Sequence, residues 1–176
     1  DPNDTLRAID EIKSRLPDGR LHALVNNAGI SPKGAGGSRL STVTTSRDDW
    51  MKVFQVNFFA PIMLARGLID ELTATKGAVV NVTSIAGSRV HPFAGAAYAT
   101  SKAALAALTR EMAADFGPVG VRVNSISPGE IDTAILSPGT EKIVEALPMR
   151  RLGTPEEVAE EIGRMSAVLQ GAGATA

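Results

Sequence analysis

Ser84, Tyr98 and Lys102 are the residues of this chain whose types and spacing suit them to do chemistry together. Tyr98 and Lys102 are four apart, and on a helix such residues stand one above the other on one face. An ammonium beside a phenol favours the phenolate. Lys102 is therefore expected to lower the Tyr98 pKa from its ordinary value of about 10, making the tyrosine a general acid/base near neutral pH. Ser84 offers a hydroxyl that can donate a hydrogen bond to the same reacting oxygen. Taken alone, Tyr-x-x-x-Lys is an ordinary helix pair and a serine at a strand end an ordinary cap, so the neighbouring stretches decide between the two readings.

The elements that must position these groups are legible in the pattern. Val79, Val80 and Val82 form a short β-branched run that reads as a buried strand, with Ser84 just past its end. Residues 96–116 are rich in Ala and Leu without Gly or Pro, so they read as one long helix that Gly117 stops. An earlier strand is expected at 21–25, running into Asn26-Asn27-Ala28-Gly29, where a glycine suits close approach of a ligand to the backbone. Another spans 121–129 and ends at Pro128-Gly129. Helices are expected over 1–16, over 46–72 with a cap at Thr45 or Ser46, over 143–147, and from Pro155, where Thr154-Pro155-Glu156-Glu157 reads as a capping box. Pro61 falls inside the 46–72 pattern. Lacking an N–H, it leaves the Asn57 carbonyl without its helical partner and free to bind a water. Residues 30–45, with Gly34, Gly36 and Gly37, open no helix and so make a poor phosphate loop; they read as a flexible insertion. His91 reads as structural or exposed for want of a partner at a telling spacing, and His22 as surface.

Taken together, residues 26–29 (Asn-Asn-Ala-Gly), Asn57, Ser84, the Tyr98-x-x-x-Lys102 pair and residues 128–133 (Pro-Gly-x-Ile-x-Thr) resemble the short-chain dehydrogenase/reductase family in its ordinary, non-extended form. The resemblance implies a doubly wound, Rossmann-like α/β domain with a parallel sheet in three α/β/α layers. Strand and helix alternation agrees, and ligands on such sheets bind at the carboxyl ends of the strands. It also implies an NAD(P)-dependent oxidoreductase that moves a hydride between NAD or NADP and a carbonyl or alcohol carbon. A ketone or 3-oxoacyl thioester is the substrate class the resemblance implies, and neither the substrate itself nor the choice between NAD and NADP is legible in these residues. In that family Tyr98 would exchange the proton, Lys102 would hold the cofactor ribose, Ser84 would polarise the substrate oxygen and Asn57 would anchor a proton-relay water. Asn26, Ala28, Gly29, Tyr98, Lys102, Pro128, Gly129, Ile131 and Thr133 would contact the cofactor. Residues 134–153 would form a lid, and the helices carrying Asn57 and Tyr98 would pack between subunits of a dimer or tetramer.

Composition bounds the rest. With 176 residues, net charge −1 and 44% hydrophobic residues, one domain over 1–176 is expected, with no basic surface for nucleic acid. No apolar run approaches the roughly 20 residues of a membrane span. Zero cysteines and two histidines leave neither disulfides nor a thiolate or histidine-rich metal site, and a cytoplasmic location is the default. The Gly-rich phosphate turn and the cofactor-selecting residue of such folds do not appear before Asp1, and the last strand of the fold is missing. A domain incomplete at both ends is therefore expected, with an exposed strand edge at 21–25. A second reading follows from that: a non-catalytic, truncated paralogue retained as an oligomerisation scaffold.

Overall fold

A computed structural model describes residues 2–133 and 139–167. Residues 134–138 of the expected lid, and 168–176, lie outside the described residues. Three parallel strands form the sheet: β1 (Ala23–Asn26), β2 (Ala78–Val82) and β3 (Arg122–Ile126), in the order β1-β2-β3. Leu24 pairs with Val79, and Val79 with Val123, so one row of side chains crosses all three strands. Every residue of the central strand β2 is buried. The outer strand β1 leaves Val25 40% exposed.

The helices are α1 (Pro2–Arg15), α2 (Arg47–Phe54), α3 (Ala60–Gly67), α4 (Ile69–Thr73), α5 (Ala96–Phe116), α6 (Thr140–Ala146) and α7 (Pro155–Ala167). One face of the sheet is covered by α3, α4 and α5, where Ala65, Leu72, Val79, Met112, Val121 and Val123 make a continuous core. Side chains alternate along a strand, so Arg122, between Val121 and Val123, points to the opposite face. There its guanidinium donates to the carbonyls of Met165 and Ser166 at 2.9 and 3.0 Å, binding the last turn of α7 to the strand. Helices on both faces of a parallel sheet make the layered α/β architecture expected of the sequence.

Local signals explain most helix ends. Ser46 caps α2 by accepting from the Asp49 amide at 3.0 Å, with Asp48 and Asp49 in the first turn. Thr154 and Glu157 close a reciprocal capping box at α7: the Thr154 amide donates to Glu157 Oε2 at 2.8 Å, and the Glu157 amide to Thr154 Oγ1 at 3.2 Å. Three expectations are corrected. The helix expected over 46–72 is not continuous: Gln55–Phe59 is a π-helical turn between α2 and α3, and Leu68 leaves helical geometry before α4. Pro61, which cannot donate to Asn57, lies in the first turn of α3 directly after the widened turn. Gly117 does not end its helix alone; a short 3₁₀ turn, Gly117–Val119, intervenes, and Gly120 at φ 82° supplies the left-handed residue that ends it.

The third correction concerns residues 30–45. They are stitched to the segment before α5 rather than inserted loosely: Arg39 Nε donates to the Ala94 carbonyl at 2.8 Å, and the Ala96 amide to the Leu40 carbonyl at 2.9 Å. No helix among the described residues is long and apolar enough to cross a membrane.

Candidate active site

The carboxyl ends of all three strands open into one cavity of about 450 Å³. Ser84, Tyr98 and Lys102 border it together. Ser84 stands just past β2, where its Oγ accepts from the Ala86 amide at 3.2 Å and caps a three-residue turn, Ile85–Gly87. That turn abuts α5 so closely that a Cβ on Gly87 would lie 2.8 Å from the Ala103 amide nitrogen and 2.9 Å from the Lys102 carbonyl carbon. Only glycine fits there without moving backbone. The contact sets Ser84 beside Tyr98 on the cavity wall.

Lys102 is 3% exposed and donates from Nζ to the Val82 carbonyl at 2.6 Å, with the Nζ 5.8 Å from the centre of the Tyr98 ring. Burial lowers its pKa to about 8. The Tyr98 phenol moves the opposite way from expectation. Burial raises its pKa; the nearby Ser84 hydroxyl pulls it down, and the Glu130 charge pushes it further up. The depression expected from Lys102 does not appear; desolvation of the phenolate governs the shift and a neighbouring carboxylate adds to it. In this structure Tyr98 is a phenol that holds its proton.

Asn57, fully buried in the π turn, uses its whole side chain as a bracket. Its Oδ1 accepts from the Ile30 amide at 2.8 Å, while Nδ2 donates to the Ile30 carbonyl and to Ser101 Oγ, both at 3.0 Å. Ser101 Oγ in turn donates to the Tyr98 carbonyl at 2.8 Å. The bracket joins the end of β1 to the helix that carries Tyr98 and Lys102. Gly29 lies inside it: a Cβ there would be 3.3 Å from Lys102 Nζ and 3.6 Å from Asn57 Oδ1.

Of the other residues named from the sequence, Gly29, Pro128, Gly129, Ile131 and Thr133 border the cavity. Ala28 and Asn26 do not. The Asn26 side chain turns into the interior, where Nδ2 donates to Asn81 Oδ1 at 2.8 Å and Asn81 Nδ2 donates to Thr109 Oγ1 at 2.9 Å, a buried polar chain linking β1 through β2 to α5. The loops after β2 and β3 are also fastened together: Thr83 Oγ1 donates to the Ile126 carbonyl at 2.8 Å and the Ile85 amide to the Pro128 carbonyl at 3.1 Å.

Sequence reasoning gave no role to three residues that line this cavity, His91, Glu130 and Lys33. His91, read as structural or exposed, is a nearly buried member of its wall and hydrogen-bonds through Nε2 to Glu130 Oε1. Its Nδ1 accepts from the Phe93 amide at 3.3 Å, which leaves the ring proton on Nε2 to donate to the carboxylate. Lys33, from the 30–45 segment, borders the same space and donates to the Phe93 carbonyl at 2.7 Å. Thirty-nine residues separate His91 from Glu130 and 60 separate Lys33 from Phe93, so no local spacing signals either pairing. Among the described residues no group of acidic, histidine or cysteine side chains forms a metal-binding cluster.

Comparison with known proteins agrees with this architecture. A family model described as enoyl-(acyl carrier protein) reductase matches residues 1–166. The protein FixR of Bradyrhizobium diazoefficiens is 64% identical over 157 residues, which cover 89% of this chain and 56% of FixR. A Brucella ovis oxidoreductase of the short-chain dehydrogenase/reductase family, in complex with a partially ordered NAD, superposes with a TM-score of 0.78 at 58% identity, covering 94% of this chain and 68% of that one. A 3-oxoacyl-[acyl-carrier protein] reductase from Brucella melitensis gives a TM-score of 0.84 at 32% identity, covering 93% of this chain and 62% of that one. The chain thus spans little more than half the length of FixR. With the layered parallel sheet and the Ser84, Tyr98 and Lys102 cluster at its strand ends, these matches establish that the chain belongs to the short-chain dehydrogenase/reductase family.

Proposed function

We propose that the protein containing this chain is an oxidoreductase that uses NAD or NADP to interconvert a carbonyl and an alcohol, with Tyr98 exchanging the proton. The observation that carries this reading is the shared placement of Ser84, Tyr98 and Lys102 on one cavity at the strand ends. The residues present fit the nicotinamide-ribose portion of such a cofactor. Lys102 spends one N–H on Val82 and has two more, and Gly29 leaves the space beside Nζ that a side chain would fill. Lys102, Gly29, Gly129, Ile131 and Thr133 would hold that portion. A bound nicotinamide supplies or accepts the hydride.

The chain's own residues handle the oxygen and its proton. Ser84 donates a hydrogen bond to the substrate oxygen and orients it toward Tyr98. Tyr98, kept protonated by burial, gives its proton to that oxygen as negative charge develops during reduction. The Lys102 cation, just behind the ring, then stabilises the phenolate left behind. Asn57 keeps α5 and the end of β1 in register; both its amide protons are committed, so a relay water would have to donate to one of its carbonyl oxygens. A ketone or 3-oxoacyl thioester is the broad substrate class, the latter in keeping with the similarity to a 3-oxoacyl reductase. Apolar residues on α2 and the π turn, including Met51 at 58% and Phe59 at 47% exposure, support a subunit contact through the Asn57 helix and hence a dimer or tetramer.

Replacing Tyr98 by Phe in the full-length protein removes the proton donor and keeps the buried ring. Turnover of a ketone with NADH or NADPH is expected to fall by about 10²- to 10⁴-fold with an unchanged Tm. Residual activity within a few-fold of wild type would rule out Tyr98 as the acid. The scaffold reading predicts instead no turnover in wild type and an assembly that survives the substitution.

A further inference from the structure

The cavity beside Tyr98 carries two polar groups, Glu130 and Lys33, that neither give nor take the transferred proton. Glu130 accepts one hydrogen bond, at Oε1 from His91, and no other among the described residues; its side chain is 9% exposed, yet Oε2 lacks a protein donor. Lys33, half-buried, donates one of its three N–H groups to the Phe93 carbonyl and meets no carboxylate among the described residues. Both side chains border the same space as Ser84 and Tyr98. Glu130 Oε2 and the two remaining N–H groups of Lys33 thus face the cavity open to a ligand that can pair with them.

Each candidate ligand chemistry can be tested against this pair. A simple aliphatic ketone satisfies neither group. A carboxylate ligand would suit Lys33 but face the Glu130 charge; an ammonium ligand would suit Glu130 but enter a cavity bordered by both Lys33 and Lys102. A hydroxyl both donates and accepts, so a chain of hydroxyls serves an acceptor and a donor at once without net charge. Phe93 and Ile85 supply apolar wall for the C–H faces of such a molecule. Resting on the oxidoreductase reading above, we propose that the substrate is polyhydroxylated, a ketose or polyol, with one hydroxyl donating to Glu130 Oε2 and another accepting from Lys33 Nζ. The link from His91 orients Glu130, and the contact between the His91 and Phe93 rings, 6.1 Å between centres, fixes His91.

The test compares three carbonyls on one four-carbon skeleton with the full-length protein: erythrulose, butanone and 2-oxobutanoate. Wild type is expected to prefer erythrulose over each of the others by about tenfold or more in kcat/KM, the discrimination that a site built for hydroxyls shows. Glu130→Leu and Lys33→Met should each shrink the erythrulose-to-butanone ratio by about tenfold, the worth of a hydrogen bond to a charged group. Use of the ratio cancels any common effect on Tyr98, and Lys33→Met, at a half-exposed site, guards against misfolding of the Glu130 variant. An unchanged ratio in both variants, or a wild-type preference for butanone or 2-oxobutanoate, would overturn the proposal. If none of the three is turned over and neither NADH nor NADPH binds, the oxidoreductase reading fails, and saturation-transfer NMR of erythrulose still decides the site. Binding weakened by both substitutions upholds it, and binding unaffected by either removes it.

Discussion

Tyr98 shows how far a single side chain can be read from its neighbours in sequence. The Tyr98-x-x-x-Lys102 spacing foretells that an ammonium lies by the ring, and the Nζ is 5.8 Å from its centre. The sign of the pKa shift was not legible, because it depends on burial and on Glu130, which the fold brings from the loop after β3. This has a kinetic consequence. Alcohol oxidation requires the phenolate, so its rate rises with pH through the Tyr98 pKa, and Glu130 pushes that limb upward. Glu130→Gln removes the charge and keeps the shape. Its kcat/KM profile for oxidation is expected to have its rising limb at lower pH than wild type; a limb that stays put or moves up would show that Glu130 does not act on the phenol. Similarly, His91 seemed unpartnered in sequence only because its partner is 39 residues away.

Caps and turns carry the element scale. The Ser46 cap, the capping box at Thr154 and the strand run at Val79 to Val82 were legible because each is a signal within four or five residues. The π turn at Gln55–Phe59 was legible only in part: Pro61 foretells a fault in the ladder, and the widened turn that buries Asn57 depends on packing against α5. Gly87 gave no sign at all, since its need for a bare Cα arises from the backbone of another element. Gly87→Ala is therefore expected to destabilise the protein by about 1–3 kcal/mol in denaturant unfolding and to displace Ser84, lowering turnover more than Tm alone explains. A variant with wild-type stability and turnover would mean that the Ser84 turn tolerates the extra carbon and does not fix the site.

At the scale of the whole molecule, strand and helix alternation gave the parallel sheet, its covering layers and the edge onto which the cavity opens. The stitching of residues 30–45 to the segment before α5 was hidden, because a Gly-rich polar stretch looks the same whether or not long-range hydrogen bonds hold it. The aromatic row Trp50, Phe54, Phe58 and Phe59, with neighbouring centres 5.3 to 6.2 Å apart, runs along the helix that the assembly would use. Phe59→Arg is expected to shift the full-length protein to a smaller species in sedimentation velocity; an unchanged distribution would remove this face from the interface. Lys102 and the cavity beside it are the proposed seat of a nicotinamide cofactor. Titration of NADH and NADPH against the folded full-length protein, followed by nucleotide fluorescence, tests this most directly. Saturable binding of one or both, kept in Tyr98→Phe and weakened about tenfold in Lys102→Met by loss of its charged hydrogen bonds, is the predicted result. Absence of binding, or binding indifferent to Lys102→Met, would contradict it.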